Sequence, residues 1–84
     1  MIQAYAAELA AQMGIKLSHV SVIDGKRLGC RDSHLLQLYA GGRREGALIY
    51  QTELDDLQKG IRRAGFETRI RAALSRLNIL LKPE

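Results

Sequence analysis

Residues 34–51 read HLLQLYAGGRREGALIYQ, two apolar segments on either side of a connection rich in glycine and arginine. Short segments of aliphatic, β-branched and aromatic residues bounded by glycine are typical of paired strands. We therefore predict strands over His34–Ala40 and Ala47–Gln51, joined by a loop over Gly41–Gly46. One face of this hairpin is then uniformly apolar, and it consists of Leu36, Leu38, Ala40, Ala47 and Ile49.

The connection between these two strands can take two forms. A two-residue Gly-Gly turn would bring Arg43 and Glu45 into the sheet, beside the end of the first strand. A six-residue loop instead places Ala40 opposite Ala47. Because strand register follows the buried face, we predict the six-residue loop.

The first third of the chain predicts a helix followed by one or two strands. Apolar residues spaced as in an amphipathic helix predict a helix over residues 2–13, with Gly14 at its C-terminal cap. The β-branched, alternating segment His19–Ile23 predicts a strand. Asp24 and Gly25 suit a tight turn, after which residues 26–30 can return as a short second strand.

The C-terminal part of the chain predicts two helices. Thr52 and Asp55 form a capping-box pattern at the start of the first helix. Its apolar stripe is Leu54, Leu57 and Ile61, and the segment from Gly60 to Gly65 ends it. A last helix runs from Phe66 to Leu81, with the apolar stripe Phe66, Ile70, Ala73, Leu74, Leu77 and Leu81.

These elements predict an α+β fold in a single domain over residues 1–84, a length ordinary for one domain. A small antiparallel sheet of three or four strands would carry the N-terminal helix and the two C-terminal helices on one face. Burying one apolar sheet face under amphipathic helices is a common solution for such an element order.

Composition and charge limit the class of partner and the location. Thirteen Lys and Arg stand against nine Asp and Glu, a formal charge of +4 that suits an acidic protein or a nucleic acid. No apolar run approaches the ~20 residues that span a bilayer, and the first residues lack the basic leader of a signal peptide. One cysteine cannot form an internal disulfide, so we expect a cytoplasmic location. Because no segment is long and apolar enough to span a bilayer, we also expect no membrane partner.

Cys30, Asp32 and His34 are the one set of nucleophile, acid and base that lies close in sequence. On one strand Cys30 and His34 would stand about 13 Å apart, too far for proton transfer, although a turn at residues 31–33 could close the gap. Paired metal ligands such as Cys-x-x-Cys are absent. The loop 41–46 lacks the Lys-Ser or Lys-Thr of a phosphate-binding loop. We therefore expect no enzyme, no metal and no cofactor.

The residues that we expect to bind a partner lie on the hairpin and on the last helix. Guanidinium groups at the hairpin connection can reach carboxylates or phosphates. The second face of the hairpin carries polar and aromatic side chains, and the last helix carries two arginines seven residues apart. The candidate binding residues are Gln37, Tyr39, Arg43, Arg44, Tyr50, Arg69 and Arg76.

We predict a non-catalytic binding or adaptor domain that self-associates as a homodimer and holds an acidic protein partner at the basic loop. A second apolar strip on the last helix, at Ala72 and Ile79, is a candidate dimer contact. The alternative is a small nucleic-acid-binding regulator that uses the same surface together with Arg62, Arg63, Arg69 and Arg76.

The order helix, three strands, helix resembles that of double-stranded RNA-binding domains, and Leu9–Lys16 is similar to the first helix of that family and its exit. The family places lysines at the start of its final helix to meet phosphates. This chain has the acidic segment Thr52–Asp56 there and one further helix, so we do not assign it to the family.

Overall fold

The computed structural model describes residues 2–29 and 31–82 and has the predicted α+β fold, an N-terminal helix, a three-stranded antiparallel sheet and two C-terminal helices. A 3₁₀ helix over Gly25–Leu28 follows the first strand. The other elements, in chain order, are α1 (Ile2–Gln12), β1 (His19–Ile23), β2 (Ser33–Ala40), β3 (Arg43–Tyr50), α2 (Gln51–Gln58) and α3 (Ala64–Leu81).

The core lies between one face of the sheet and the helices. The strand order is β1-β2-β3, so β2 is central and the other two strands form the edges. The predicted apolar face of the hairpin is confirmed, because every member of it is buried. The helices meet this face with the buried side chains Ile2, Tyr5, Ala6, Leu9, Ala10, Leu57, Phe66, Ile70, Ala73, Leu74 and Leu77.

The predicted hairpin register is wrong, and the two-residue turn is the one that forms. Ala40 pairs with Arg43, and Leu36 rather than Ala40 lies opposite Ala47, a shift of four residues. Gly41 and Gly42 both have positive φ, 54° and 76°, as in the type I′ turn that matches the twist of a hairpin. The shift is even, so each side chain keeps the predicted face although its partner changes.

The short strand considered over residues 26–30 is also wrong for the part that the structure describes. Asp24 caps a 3₁₀ helix instead, and its side chain accepts a hydrogen bond from the Lys26 backbone N–H at 3.0 Å. Gly29 ends this helix with a φ of 79°. Cys30 lies outside the described residues.

Helix α2 begins two residues earlier than the capping box at Thr52 predicted. β3 runs directly into the helix, so Tyr50 is its N-cap and donates its backbone N–H to Glu53 Oε1 at 2.9 Å. The helix ends at Gln58, and Ile61, predicted in its apolar stripe, is 45% exposed. The predicted stripe of α3 is confirmed from Phe66 through Leu77.

Candidate binding surface at the hairpin end

A shallow depression of about 410 Å³ lies beside the turn of the β2–β3 hairpin. Two exposed arginines, Arg43 and Arg44, border it on the β3 side, and Tyr39 borders it on β2. Ser18 closes the opposite side from the loop before β1. Three of the candidate residues, Tyr39, Arg43 and Arg44, therefore meet at one place.

Neither Arg43 nor Arg44 forms an ion pair or a side-chain hydrogen bond within residues 2–29 and 31–82. Five other arginines in that part of the chain are each paired with a carboxylate, namely Arg62, Arg63, Arg69, Arg71 and Arg76. The two guanidinium groups at the hairpin end are thus available to an anionic partner, and bidentate pairing with carboxylate or phosphate suits them.

Tyr39 stands in a row of contacting side chains on the open face of the sheet. Its hydroxyl donates to Gln37 Oε1 at 2.7 Å, and Ser21 donates to the same oxygen at 3.4 Å. Its ring lies 5.5 Å from the ring of His19 on β1. These contacts fix the Tyr39 ring at the border of the depression and already use the acceptor of Gln37.

Arg69 lies elsewhere, at the outer edge of β3. Its guanidinium donates to the Leu48 carbonyl at 2.9 Å, pairs with Glu53, and stands over the Tyr50 ring at 5.0 Å from the centroid. Glu53 is itself 9% exposed, so this ion pair is partly shielded from water. Two candidate residues, Arg69 and Tyr50, are therefore bound to each other within the fold.

Arg76 repeats this arrangement two turns further along α3. It donates to the Gly46 carbonyl at 3.1 Å and to Glu45 Oε2 at 3.2 Å. Gly46 and Leu48 are alternate residues of an edge strand, so their carbonyls point away from the sheet on the same side. The structure thus separates Arg69 and Arg76 from the hairpin end and engages both with the β3 edge.

The hairpin turn is held against the end of α3. A Cβ on Gly41 would come within 2.6 Å of Leu81 Cδ2, so the turn lies directly against this side chain. Lys82, which directly follows Leu81, and Lys16, two residues before Ser18, are exposed cations on segments that reach this end. Sequence reasoning missed both, because only the fold brings the α1–β1 loop and the end of α3 to the hairpin.

His34, which the sequence offers as a candidate base, is buried and is held by hydrogen bonds within the fold. It is 8% exposed; its Nδ1 accepts a hydrogen bond from the Gly25 N–H at 3.0 Å, and its Nε2 lies 2.6 Å from Gln51 Oε1. An Nδ1 that accepts carries no proton, so Nε2 bears the proton and donates to Gln51. Across the described chain, no three His, Cys, Asp or Glu side chains are grouped so that they could hold a metal ion.

A second depression, of about 490 Å³, lies between α1 and the α2–α3 connection and is lined by Tyr5, Glu8 and Arg62 among others. Arg62 pairs with Glu8 at 3.0 Å and stands over the Tyr5 ring. Burial first, and then the nearby carboxylate of Glu67, raise the pKa of the Tyr5 phenol above its ordinary value. The charged and polar groups of this depression are thus engaged with each other.

The chain matches no protein-family model, no curated protein and no solved structure. No helix within the described residues is both long and apolar enough to cross a membrane. Evidence about function therefore comes from the geometry of the surface.

Proposed function

We propose that this chain is a non-catalytic binding domain that holds an acidic segment of a partner protein at the hairpin end. The observation that carries the proposal is a pair of unpaired arginines at one depression. Among residues 2–29 and 31–82, Arg43 and Arg44 are adjacent, exposed and without a carboxylate partner, and they border one depression together with Tyr39. Arg27 and Arg31 are also exposed and unpaired in that part of the chain, but they lie apart, in the 3₁₀ helix and in the segment before β2. The one carboxylate within two residues of them, Glu45, is already engaged by Arg76.

The shape and the charge of the hairpin end support a carboxylate-bearing partner. The depression is shallow and lies beside a two-residue turn, so an extended acidic segment could cross it without opening the fold. Lys16 and Lys82 add positive charge on neighbouring segments. Positive surface that faces negative surface speeds association and selects partners.

A nucleic acid is the second candidate, and the Tyr39 ring at the border of the depression favours it, since single strands stack bases on aromatic side chains. The second tyrosine of the sequence-based hypothesis is remote, however. Tyr39 pairs with Arg44, and Tyr50 lies six residues further along β3, which is about 20 Å at ~3.3 Å per residue. Two bases stacked in succession would not reach both rings, so we favour the acidic protein segment.

The experiment compares two double substitutions that change charge equally. Arg43→Glu with Arg44→Glu reverses the hairpin end, and Lys26→Glu with Arg27→Glu reverses an exposed pair on the 3₁₀ helix, at the other end of the sheet. The probes are a synthetic oligoglutamate peptide and a single-stranded oligonucleotide. We expect the hairpin variant to lose at least about tenfold in affinity for the peptide, or about 1.4 kcal/mol, and the control variant to bind nearly as wild type.

Melting temperatures and a salt series complete this test. Exposed, unpaired arginines contribute within roughly ±0.5 kcal/mol, so the melting temperature of the hairpin variant should hardly change. Equal loss in both double variants would mean that net charge alone attracts the peptide and would overturn the site. Tighter binding of the oligonucleotide than of the peptide, with a steep salt dependence, would favour the nucleic-acid function.

We also propose that the chain self-associates and that it works in a reducing compartment such as the cytoplasm. The single cysteine supports the compartment, because a disulfide framework is not available to hold the core. The proposed dimer does not require Arg43 or Arg44, so these two arginines remain available to the acidic partner in a dimer.

A further inference from the structure

The outer edge of β1 differs from that of β3 in what its backbone groups contact. The Tyr39 carbonyl faces β1, because it accepts a hydrogen bond from the Ser18 backbone N–H at 2.8 Å. Backbone groups alternate in direction along a strand, so those of Gln37 also face β1. Ser21, the partner of Gln37, then points its N–H and carbonyl toward β2. The backbone groups of Val20 and Val22 point away from the sheet.

No hydrogen bond closes this outer edge within residues 2–29 and 31–82. The backbone groups of Val20 and Val22 have no hydrogen-bond partner there outside the ladder with β2. The strand also lacks the usual protection of an edge, since its sequence HVSVI has no Lys, Arg, Asp, Glu or Pro. Val20 and Val22 are only partly buried against the core.

We propose that β1 pairs antiparallel with β1 of a second copy of this chain, around a twofold axis at Ser21, and forms a continuous six-stranded sheet. Val20 then pairs with Val22 of the second copy, and its outward backbone groups meet outward groups of that residue. His19 lies opposite Ile23, and Ser21 opposite Ser21. This inference gives a surface to the self-association proposed above.

The register follows from the length of the strand and from its faces. Centring the pair on Ser21 matches all five residues of β1, whereas centring it on Val20 or Val22 leaves part of the strand unpaired. It also keeps both valines on the inner face and His19, Ser21 and Ile23 on the open face in each copy. A twofold contact of this kind is self-complementary, as closed dimers require.

The charges at the two ends of β1 agree with this arrangement. Asp24, which follows the strand and whose side chain is 53% exposed, falls opposite Ser18 of the second copy, close in sequence to Lys16. This acid–base proximity occurs twice by symmetry. The two hairpin ends, which carry Arg43 and Arg44, lie at opposite ends of the joined sheet, so like charges there do not repel across the axis.

The test places charges at the twofold axis. Ser21 is on the open face and half-buried, and its hydroxyl makes one long hydrogen bond of 3.4 Å, so Ser21→Glu and Ser21→Lys should fold normally. Like charges directly opposite on paired strands destabilise the pair. We expect each variant to dissociate at least about tenfold more readily than wild type, and an equimolar mixture of the two to recover a heterodimer, measured by sedimentation equilibrium.

Gln37→Glu and Gln37→Lys are the matched controls, because Gln37 lies on the same face but on the central strand, opposite Ser21. These variants should dimerise as wild type does. A wild-type chain that stays monomeric from micromolar to near-millimolar concentration overturns the proposal. So does a dimer that tolerates each single Ser21 variant, or one for which mixing them restores nothing.

Two further readouts separate this inference from the hairpin-end site and from another occupant. Ser21→Glu and Ser21→Lys both keep Arg43 and Arg44, so both should still bind the oligoglutamate peptide, more weakly for Glu and more tightly for Lys because of the added charge; a dimer-deficient variant that still binds leaves the proposed function intact. A monomer whose β1 amides gain hydrogen-exchange protection only when an extended peptide is added assigns the edge to that peptide and overturns self-pairing.

Discussion

The β3 edge and the β1 edge each lack a neighbouring strand on one side, yet among residues 2–29 and 31–82 only the β3 edge is closed by side chains. Arg69 and Arg76 of α3 donate to the Leu48 and Gly46 carbonyls, and the Tyr50 N–H is held by Glu53. At the other edge, helix α1 packs near β1 without such hydrogen bonds among the described residues.

Two periodicities make the closure of β3 possible. Alternate residues of an edge strand present their carbonyls on one side, and residues seven apart on a helix share one side. Arg69 and Arg76 meet both conditions. The carbonyls that they contact are already engaged and so are not free to pair with an added strand. An arginine on a neighbouring helix can therefore act as a substitute for a missing strand, while an edge without one is available to a partner.

The largest expected effect concerns the core that both edges share. Leu38 and Leu77 are fully buried on opposite sides of it, so Leu38→Ala or Leu77→Ala should cost about 2–4 kcal/mol in the free energy of unfolding. Urea unfolding measures this loss. Less than ~0.5 kcal/mol for both variants would mean that the core is misplaced, and the edge effects below are judged against this scale.

The next largest effect is expected at Arg69, the less exposed of the two arginines that contact β3. Arg69→Ala should cost about 1–3 kcal/mol, because it removes a charged hydrogen bond to the Leu48 carbonyl and leaves the shielded Glu53 without its partner. Glu53→Gln is the control, since it keeps an acceptor for the Tyr50 N–H and removes only the charge. Urea unfolding should rank the control as the milder change; the reverse order would contradict the assigned contacts.

A smaller loss is expected at Arg76. Its side chain is 52% exposed, so its pair with Glu45 is weakened by water, and Arg76→Ala should cost about 0.5–1 kcal/mol. The same variant uncovers the Gly46 carbonyl, so we expect more self-association at high protein concentration than for Arg69→Lys, which keeps a cation at the edge. Light scattering checks this; a variant as dispersed as wild type would show that Arg76 does not protect the edge.

The smallest expected effect is measured on the wild-type chain, by comparing the hydrogen exchange of individual backbone amides. In dilute protein the Val20 and Val22 amides should exchange faster than the Ser21 amide, which points toward β2. Raising the protein concentration should protect Val20 and Val22, whereas the Tyr50 amide at the other edge should be protected at every concentration. Equal protection of Val20 and Ser21 in dilute solution would contradict the assigned direction of the β1 backbone.

Much of the fold could be predicted from periodicity. The stripes of α1 and α3 and the apolar face of the hairpin follow rules of local spacing, and these predictions are confirmed. The register of the hairpin failed because Glu45 looked unsuitable for a strand beside the core. Its suitability depends on Arg76, which is 31 residues away in sequence, and local patterns carry no information about such a partner.

The candidate site was predicted in part for the same reason. Arg43 and Arg44 were identified by local composition, and the structure does place them with Tyr39. Arg69 and Arg76 were chosen for equal spacing on α3, which indicates a shared side but not what that side contacts. The seven-residue spacing that suggested a binding surface instead places both arginines where they contact the carbonyls of β3.

The closure of β3 by α3 also gives refolding of the chain an order of events. The hairpin pairs residues that are close in sequence, whereas the contact of Arg76 with the Gly46 carbonyl joins residues 30 apart, and a longer loop costs more entropy to close. Until α3 docks, a hairpin would have two unprotected edges instead of one. Refolding at high protein concentration should therefore raise the fraction of misassembled chains.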